Sequence, residues 1–539
     1  MADRRRRKPT AQAARIALIV ALNAAAALAL WRIWPAAAPE VEASTATAVP
    51  PVAERRTVAR PAALERARQS RLERELQRIV DDAVEQARVA SKNKVRSDNT
   101  AVAIHVRQLG AGPQGELALG SDRLMRPASN LKLITTAAAL ALLGSEWNFE
   151  TRFEASGAIV DGVLEGDLVV RAAADPLYDP TSAGDVEHLL APALDELRAR
   201  GLRAIRGNVV LDEGHFLAPA PGPEWPDASQ HWAEYCALAG GFSANRGCLD
   251  AVVTPTRVGE HARVEVFPRD HGLPESIGVR TESKGGTNVQ IGAKPSGVLV
   301  KGTIGAKSDP YVGSFAHPDP VELFGRTLCG ALSRKGILLQ GRLLRTRGAP
   351  GGELLATLRT PLARYLAPIN SDSNNAVADQ VFLATANAIS GAGTREAGGR
   401  ATELALERLG VPTEGFAQVD GSGLSRANRV TAHQIVALIE AVLLQNEASA
   451  RMYLDSLAVA GERGTLSDRM NSAPARGRVR AKTGFIGGTS ALSGVAYALD
   501  GRQFVFSILV NYPNFDGLNP TVWKPMQDQI CTRLVEAAP

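Results

Sequence analysis

The stretch Arg126-Pro127-Ala128-Ser129-Asn130-Leu131-Lys132-Leu133 continues as Ile134-Thr135-Thr136-Ala137-Ala138-Ala139-Leu140-Ala141-Leu142-Leu143 and closes at Gly144. Its reading decides the rest of this 539-residue chain. Pro127 and Ser129 stand where a helix would begin, and Gly144 where it would stop. Between them nearly every residue is small or apolar all round, which predicts a helix buried in a core. Ser129 and Lys132 lie three apart, one turn along the same face, so hydroxyl and amine can meet. Burial disfavours the charged form of a lysine. A neutral amine beside a hydroxyl makes an activated nucleophile, and a helix N-terminus favours a developing oxyanion. The pattern predicts a catalytic site.

Outward from this stretch, length alone predicts two or three domains. The net charge is +5, unevenly spread: residues 1–98 carry 19 Lys/Arg and 11 Asp/Glu, or +8, which leaves −3 for the rest. The basic balance belongs to the amino-terminal segment, so nucleic-acid binding by the folded part is not expected. Phosphate-loop, HExxH and paired Cys-x-x-Cys motifs are lacking, and neither a metal nor another cofactor is expected. The eight histidines are scattered, which fits surface or satisfied core positions.

Arg4-Arg5-Arg6-Arg7-Lys8 precedes an apolar run, so residues 1–35 read as a signal peptide or signal-anchor. Residues 14–34 would form an inner-membrane anchor if retained. The charge flank keeps the amino terminus in the cytoplasm and sends the rest across the membrane, predicting a periplasmic protein. Residues 36–75 read as a Pro/Ala-rich linker and the start of a charged helix that runs through 62–90. Alternation at Ala101–Val106 starts the β pattern, and the region 148–317 is rich in short strands, Gly and Pro. Helices return at about 321–336, 373–388, 398–409 and 431–446. Strands at Leu492–Leu499 and Gln503–Asn511 and a helix near 523–536 end the chain. Outside the cytoplasm, Cys236 and Cys248 are expected to close a short disulfide; Cys329 and Cys531 stay undecided.

Two further motifs complete the opening one. Ser373-Asn374-Asn375 begins a helix, and Lys482-Thr483-Gly484 ends the short run Arg478–Ala481. S-x-x-K with S-x-N and K-T-G is the signature of penicillin-binding proteins and class A β-lactamases. Each triplet alone is cheap: Ser91-Lys92-Asn93-Lys94, Ser97-Asp98-Asn99 and Ser243-Ala244-Asn245 also fit. The first two decoys precede Ser129 and lack an apolar helix behind them. Flanking stretches Gly166–Val170, Asp420–Arg429 and Gly461–Leu466 sharpen the match. From about Asp81 to Val535 the chain resembles the class C low-molecular-mass penicillin-binding proteins of the penicillin-binding protein 4 type, D-alanyl-D-alanine carboxypeptidases and endopeptidases.

The resemblance implies an α/β (α+β) penicillin-binding, serine β-lactamase-like transpeptidase domain, at 76–147 and 318–539. The β-rich insert of two small domains, 148–317, would interrupt it. The 240 residues between Lys132 and Ser373 match that architecture and disfavour a β-lactamase. Ser129 would then be the nucleophile, Lys132 its base and Ser373 a proton relay. Asn375 would hold the peptide amide, Lys482, Thr483 and Gly484 the substrate carboxylate and strand, and Phe485 one oxyanion N–H. The implied ligands are peptidoglycan stem peptides and β-lactams. Phe485 departs from the hydroxyl residue common after K-T-G. That departure keeps open a second reading, a scaffold that binds peptidoglycan without cutting it.

Overall fold

The computed structural model describes residues 62–536 except 112–114 and 295–296. The signal-anchor expectation and most of the linker lie outside the described residues; among those described, no helix is long and apolar enough to cross a membrane. In chain order the peptidase part contains α1 (Ala62–Ala90), β1 (Ala101–Gln108), β2 (Glu116–Leu119) and α2 (Leu131–Leu143). After the insert come α3 (Asn375–Ser390), α4 (Arg395–Arg408), α5 (Ala432–Leu444), β3 (Ala458–Val459), β4 (Val479–Ile486), β5 (Thr489–Tyr497), β6 (Gln503–Asn511) and α6 (Lys524–Glu536). The strands form one antiparallel sheet in the order β3-β4-β5-β6-β1-β2.

Helices cover both faces of this sheet, which explains why Phe504–Val510 is buried throughout and apolar but for Ser507, without alternation. Val505 and Leu509 face the core shared by α2, α3 and α5. Their neighbours Phe506, Ile508 and Val510 face a second core closed by α1 and α6. The apolar stripe of the charged helix, Leu76, Ile79, Val80, Ala83 and Ala87, is buried there. Alternating strand residues thus serve two cores, a consequence of the two-residue period of the pleat.

The insert begins at Asn148–Ala155 and includes a five-stranded sheet. Its order is Leu343–Thr346, Val209–Asp212, Leu168–Arg171, Asn148–Ala155, Glu353–Pro361. Two three-stranded sheets, around Cys248–Thr254 and Gly297–Gly305, contribute to the same apolar cluster. The return to the peptidase part was expected at 318, and the packing places it later. The helix Pro320–Arg334 buries Leu323, Phe324 and Leu328 among insert residues, and Glu353–Pro361 pairs with Asn148–Ala155. The insert lends the first core Ala174, Phe216 and Ala239, and the next helix to pack into it is Ala363–Asn370, through Tyr365, Leu366 and Ile369. Periodicity shows that a helix forms; it does not show which core its face covers.

The expected Cys236–Cys248 disulfide is absent: both thiols are free and buried. Cys248 Sγ lies 3.9 Å from the Arg246 carbonyl oxygen, in a small core with Ala237, Ala316 and Ala376. Short spacing in sequence does not aim two Cβ atoms at each other.

Candidate active site

Ser129 sits in a single 3-10 turn, Ala128–Asn130, that feeds directly into α2. Ala128 is held at φ +47°, a left-handed conformation that costs an L-residue about 1–2 kcal/mol. Asn130 fixes this turn against β4: its Nδ2 donates to the Lys482 carbonyl at 2.8 Å, and its Oδ1 accepts from Ser493 Oγ at 2.5 Å. Gly144, at φ +88°, ends the helix as expected. Leu131 to Leu140 are all buried, and the Lys132 side chain is fully enclosed.

Lys132 Nζ has three oxygen neighbours: Ser129 Oγ at 3.0 Å, Asn375 Oδ1 at 2.6 Å and the Ser422 carbonyl at 2.7 Å. Burial pushes this amine down to about 8, against the opposing attraction of Asp379 and Asp420. Asn375 opens α3, where the Asn374 side chain caps the helix by accepting from Val377 N. The other end of the Asn375 amide, Nδ2, donates to the Tyr235 carbonyl at 2.8 Å, a group of the insert. The amide expected to hold substrate is therefore already bridging the general-base candidate to the insert.

Ser373 occupies the same turn, at φ +68°, and among the described residues its hydroxyl makes no hydrogen bond. Lys482 is fully buried. Burial, and then the charge of Lys132, hold it well below the usual lysine range, with Asp372 opposing; its Nζ donates to the Thr483 carbonyl at 3.0 Å. K-T-G does not end a short run but lies within an eight-residue strand. The partner strand β3 pairs only with Ala481 and Arg480, so among the described residues no strand lies against the edge from Lys482 to Ile486 that faces away from β5. Phe485 is 57 % exposed on that edge.

Gly484 has a structural reason besides leaving room for substrate. A Cβ there would stand 3.0 Å from the Pro127 carbonyl and 3.1 Å from Asn130 Nδ2, so only glycine lets β4 sit this close to the serine turn. Gly423 does the same from the opposite wall: at φ +83°, its Cβ would fall 1.9 Å from the Ala128 carbonyl.

Several site residues have no motif of their own. Ser422 contributes only a carbonyl. Its loop is held by Asp420, whose oxygens accept from Gly423 N, Ser425 N, Asn428 Nδ2 and Trp225 Nε1. Thr465 Oγ1 accepts from Thr483 Oγ1 at 2.9 Å. A signal for Asn130 existed, since a polar residue inside an apolar turn demands buried partners. Ser422 lies in the flanking stretch Asp420–Arg429, but the sequence assigned it no role, because a backbone carbonyl carries no residue identity.

A serine on a buried helix, a lysine beneath it and an open-edged K-T-G strand define an active-site-serine enzyme of the penicillin-binding kind. The chain belongs to the D-Ala-D-Ala carboxypeptidase 3 (S13) family, which it matches over residues 88–533. It is 32% identical over 437 residues, 78% of each chain, to a D-alanyl-D-alanine carboxypeptidase of Actinomadura. It is 27% identical over 403 residues to one of Haemophilus influenzae, covering 72% of this chain and 80% of that one. The fold is similar to the crystal structure of penicillin binding protein 4 from Haemophilus influenzae, with a TM-score of 0.65 at 24% identity. That match covers 83% of this chain and 98% of the other. The α/β fold with a β-rich insert is thus that of its family.

Proposed function

We propose that this chain is a serine-type D-alanyl-D-alanine carboxypeptidase and endopeptidase that cleaves peptidoglycan stem peptides and cross-links through an acyl-enzyme on Ser129. The carrying observation is the set of three oxygens around Lys132 Nζ. A neutral amine has two hydrogens and one lone pair. Asn375 Oδ1 and the Ser422 carbonyl can only accept, so they take the two hydrogens. The lone pair is left for the third neighbour, the Ser129 hydroxyl, which can donate. Ser129 Oγ attacks the carbonyl carbon of the penultimate D-alanine as its proton passes to Lys132 Nζ. The backbone N–H groups of Ser129 and Phe485 receive the oxyanion.

The C–N bond then breaks, and Ser373 relays a proton to the departing amine. Water hydrolyses the ester, regenerating Ser129. Lys482 and Thr483 attract the terminal carboxylate, and the open edge of β4 takes the peptide as an added strand. A β-lactam goes through the same first step and stays attached. The amino-terminal segment exports the chain to the periplasm, either as a cleaved signal peptide or, if retained, with residues 14–34 as an inner-membrane anchor.

The test is labelling with a fluorescent penicillin, comparing wild type with Ser129→Ala and Lys132→Ala. Equal labelling of Ser129→Ala, or none of wild type, would rule the nucleophile out. Digestion of purified cross-linked muropeptides then separates endopeptidase from carboxypeptidase, and no cleavage of either despite labelling would favour the scaffold reading. Fast turnover of a chromogenic cephalosporin would point instead to a β-lactamase.

A further inference from the structure

Behind Lys132 lie two buried carboxyls that take no part in the proposed bond-making and bond-breaking steps. Asp379 stands one helical turn after Asn375 on α3, and Asp420 stands in the loop that carries Ser422; they are 5% and 2% exposed. Asp379 Oδ1 accepts from Gly421 N at 2.7 Å. Its Oδ2 is buried and has no hydrogen-bond partner among the described residues. That is a costly state for a carboxylate oxygen unless a nearby charge compensates it. The loop has no slack: Thr135 Oγ1 donates to the Gly421 carbonyl at 2.7 Å. A Cβ on Gly421 would meet the Ala378 carbonyl at 2.4 Å. The next residue, Ser422, directs its carbonyl at Lys132 Nζ.

We infer that Asp379 is a positioning residue, which with Asp420 forms a buried carboxyl pair that holds the Ser422 carbonyl on Lys132 and balances the proton Lys132 takes from Ser129. The inference rests on Lys132 being the base of the proposed function. The charged groups facing Lys132 are Asp379 from α3, Asp420 from its loop and Lys482 from β4. Those facing Asp379 are Lys132, Asp420 and Arg395 of α4. Burial and the charge of Asp420 push Asp379 up to about 7, opposed by Lys132 and Arg395. Burial thus lowers the amine and raises the carboxyl that faces it, bringing the two titrations close together. When Ser129 releases its proton, the positive charge formed on Lys132 appears beside a negative one rather than in an uncompensated interior.

Asp379 favours the protonated amine, so removing its charge lowers the pH at which Lys132 becomes neutral. Asp379→Asn keeps the size and the acceptor for Gly421 N while removing the charge. The experiment measures second-order acylation by a fluorescent penicillin from pH 5 to 10, on the full chain. The expected result is a maximal rate lower by about tenfold, with the acidic limb moved down by about one pH unit. Thr135→Val removes the other clamp on Gly421 without touching charge, and should slow acylation with the limb unmoved. A purely structural Asp379 would give a profile superimposable in pH on wild type, and that result overturns the inference. If Asp379→Asn does not fold, Asp420→Asn removes the partner charge and carries the same expectation and the same overturning result. Wild type that is not acylated at all sinks the nucleophile reading itself, which is a different failure.

Discussion

Ser91-Lys92-Asn93-Lys94 and Ser129-Asn130-Leu131-Lys132 present the same residue types at the same spacing, and the chain folds them into opposite environments. Ser91 comes just after the end of α1, and its Oγ accepts from Val95 N at 2.9 Å, the bond of a tight turn. Lys92 and Asn93 take positive φ there, and Lys94 is exposed. Ser129 opens a buried helix whose Lys132 is enclosed among three oxygens. The difference lies in the residues next along the chain. After Lys132 comes an apolar run that buries a helix, whereas after Lys94 comes a polar turn in which Arg96 pairs with Asp98. The buried, lowered amine is made by the apolar helix behind the lysine, not by the serine–lysine spacing.

The sharpest break in this comparison is removal of the pairs themselves. Ser129→Ala should abolish penicillin labelling, and Lys132→Ala should slow it about 10²–10⁴-fold, the usual span for a positioned base. Ser91→Ala and Lys94→Ala should leave the labelling rate as in wild type. Gel-resolved labelling time courses decide it, and a loss of rate on changing Lys94 would sink the distinction.

The second break uses pH. Only the neutral amine can take the Ser129 proton, and Lys132 sits at about 8, lowered by burial. The acylation rate should therefore climb as pH rises and level off above about 8. At about pH 6, roughly two units below, it should be lower by roughly a hundredfold. A profile that stays flat from mildly acidic to mildly basic pH would mean that Lys132 is not the proton acceptor.

Much of this was legible in the sequence because the motifs fall where secondary structure is strongly patterned. The helix at Ser129 ends at Gly144 as read, and the strand Gln503–Asn511 has the bounds expected. What escaped was whatever depends on contacts between distant segments. Ser422 is 290 residues from Lys132, and Tyr235 is 140 from Asn375. The helix at 320–334 was legible as a helix, while its core was not, since the same stripe fits either side. Cys236 and Cys248 misled for the same reason, being near in sequence with their thiols unpaired. Asn374, the motif's middle residue, has a local role: its side chain caps α3 by accepting from Val377 N.

Gly484 tests how closely the two walls must meet. Unlike Gly423, it has no positive φ, so alanine is allowed by the backbone and only the contacts resist. With the Pro127 carbonyl at 3.0 Å, β4 must move by a few tenths of an ångström. That should cost about five- to tenfold in acylation, since a misplacement of about 1 Å costs about a hundredfold. Stability, followed by thermal unfolding, should change little. A fall in labelling that tracks loss of folded protein would instead make Gly484 a core residue.

The smallest effect concerns the residue that separates this chain from the hydroxyl expected after K-T-G. Phe485 stands on the open edge of β4, more than half exposed, next in chain to Gly484 at the serine turn. Under the proposed function the peptide lies along this edge, and the exposed ring is then a surface the substrate would meet. A threonine there would offer a hydroxyl to the terminal carboxylate of a short stem peptide, worth about 1 kcal/mol at an exposed site. Phe485→Thr should thus raise the carboxypeptidase rate by about fivefold and leave cleavage of cross-linked dimers unchanged or lower. Paired assays on a pentapeptide and on a cross-linked muropeptide read both rates from one preparation. Equal falls in the two would show that Phe485 shapes the strand itself, and the contrast between the two substrates would then have to come from the insert side of the cleft.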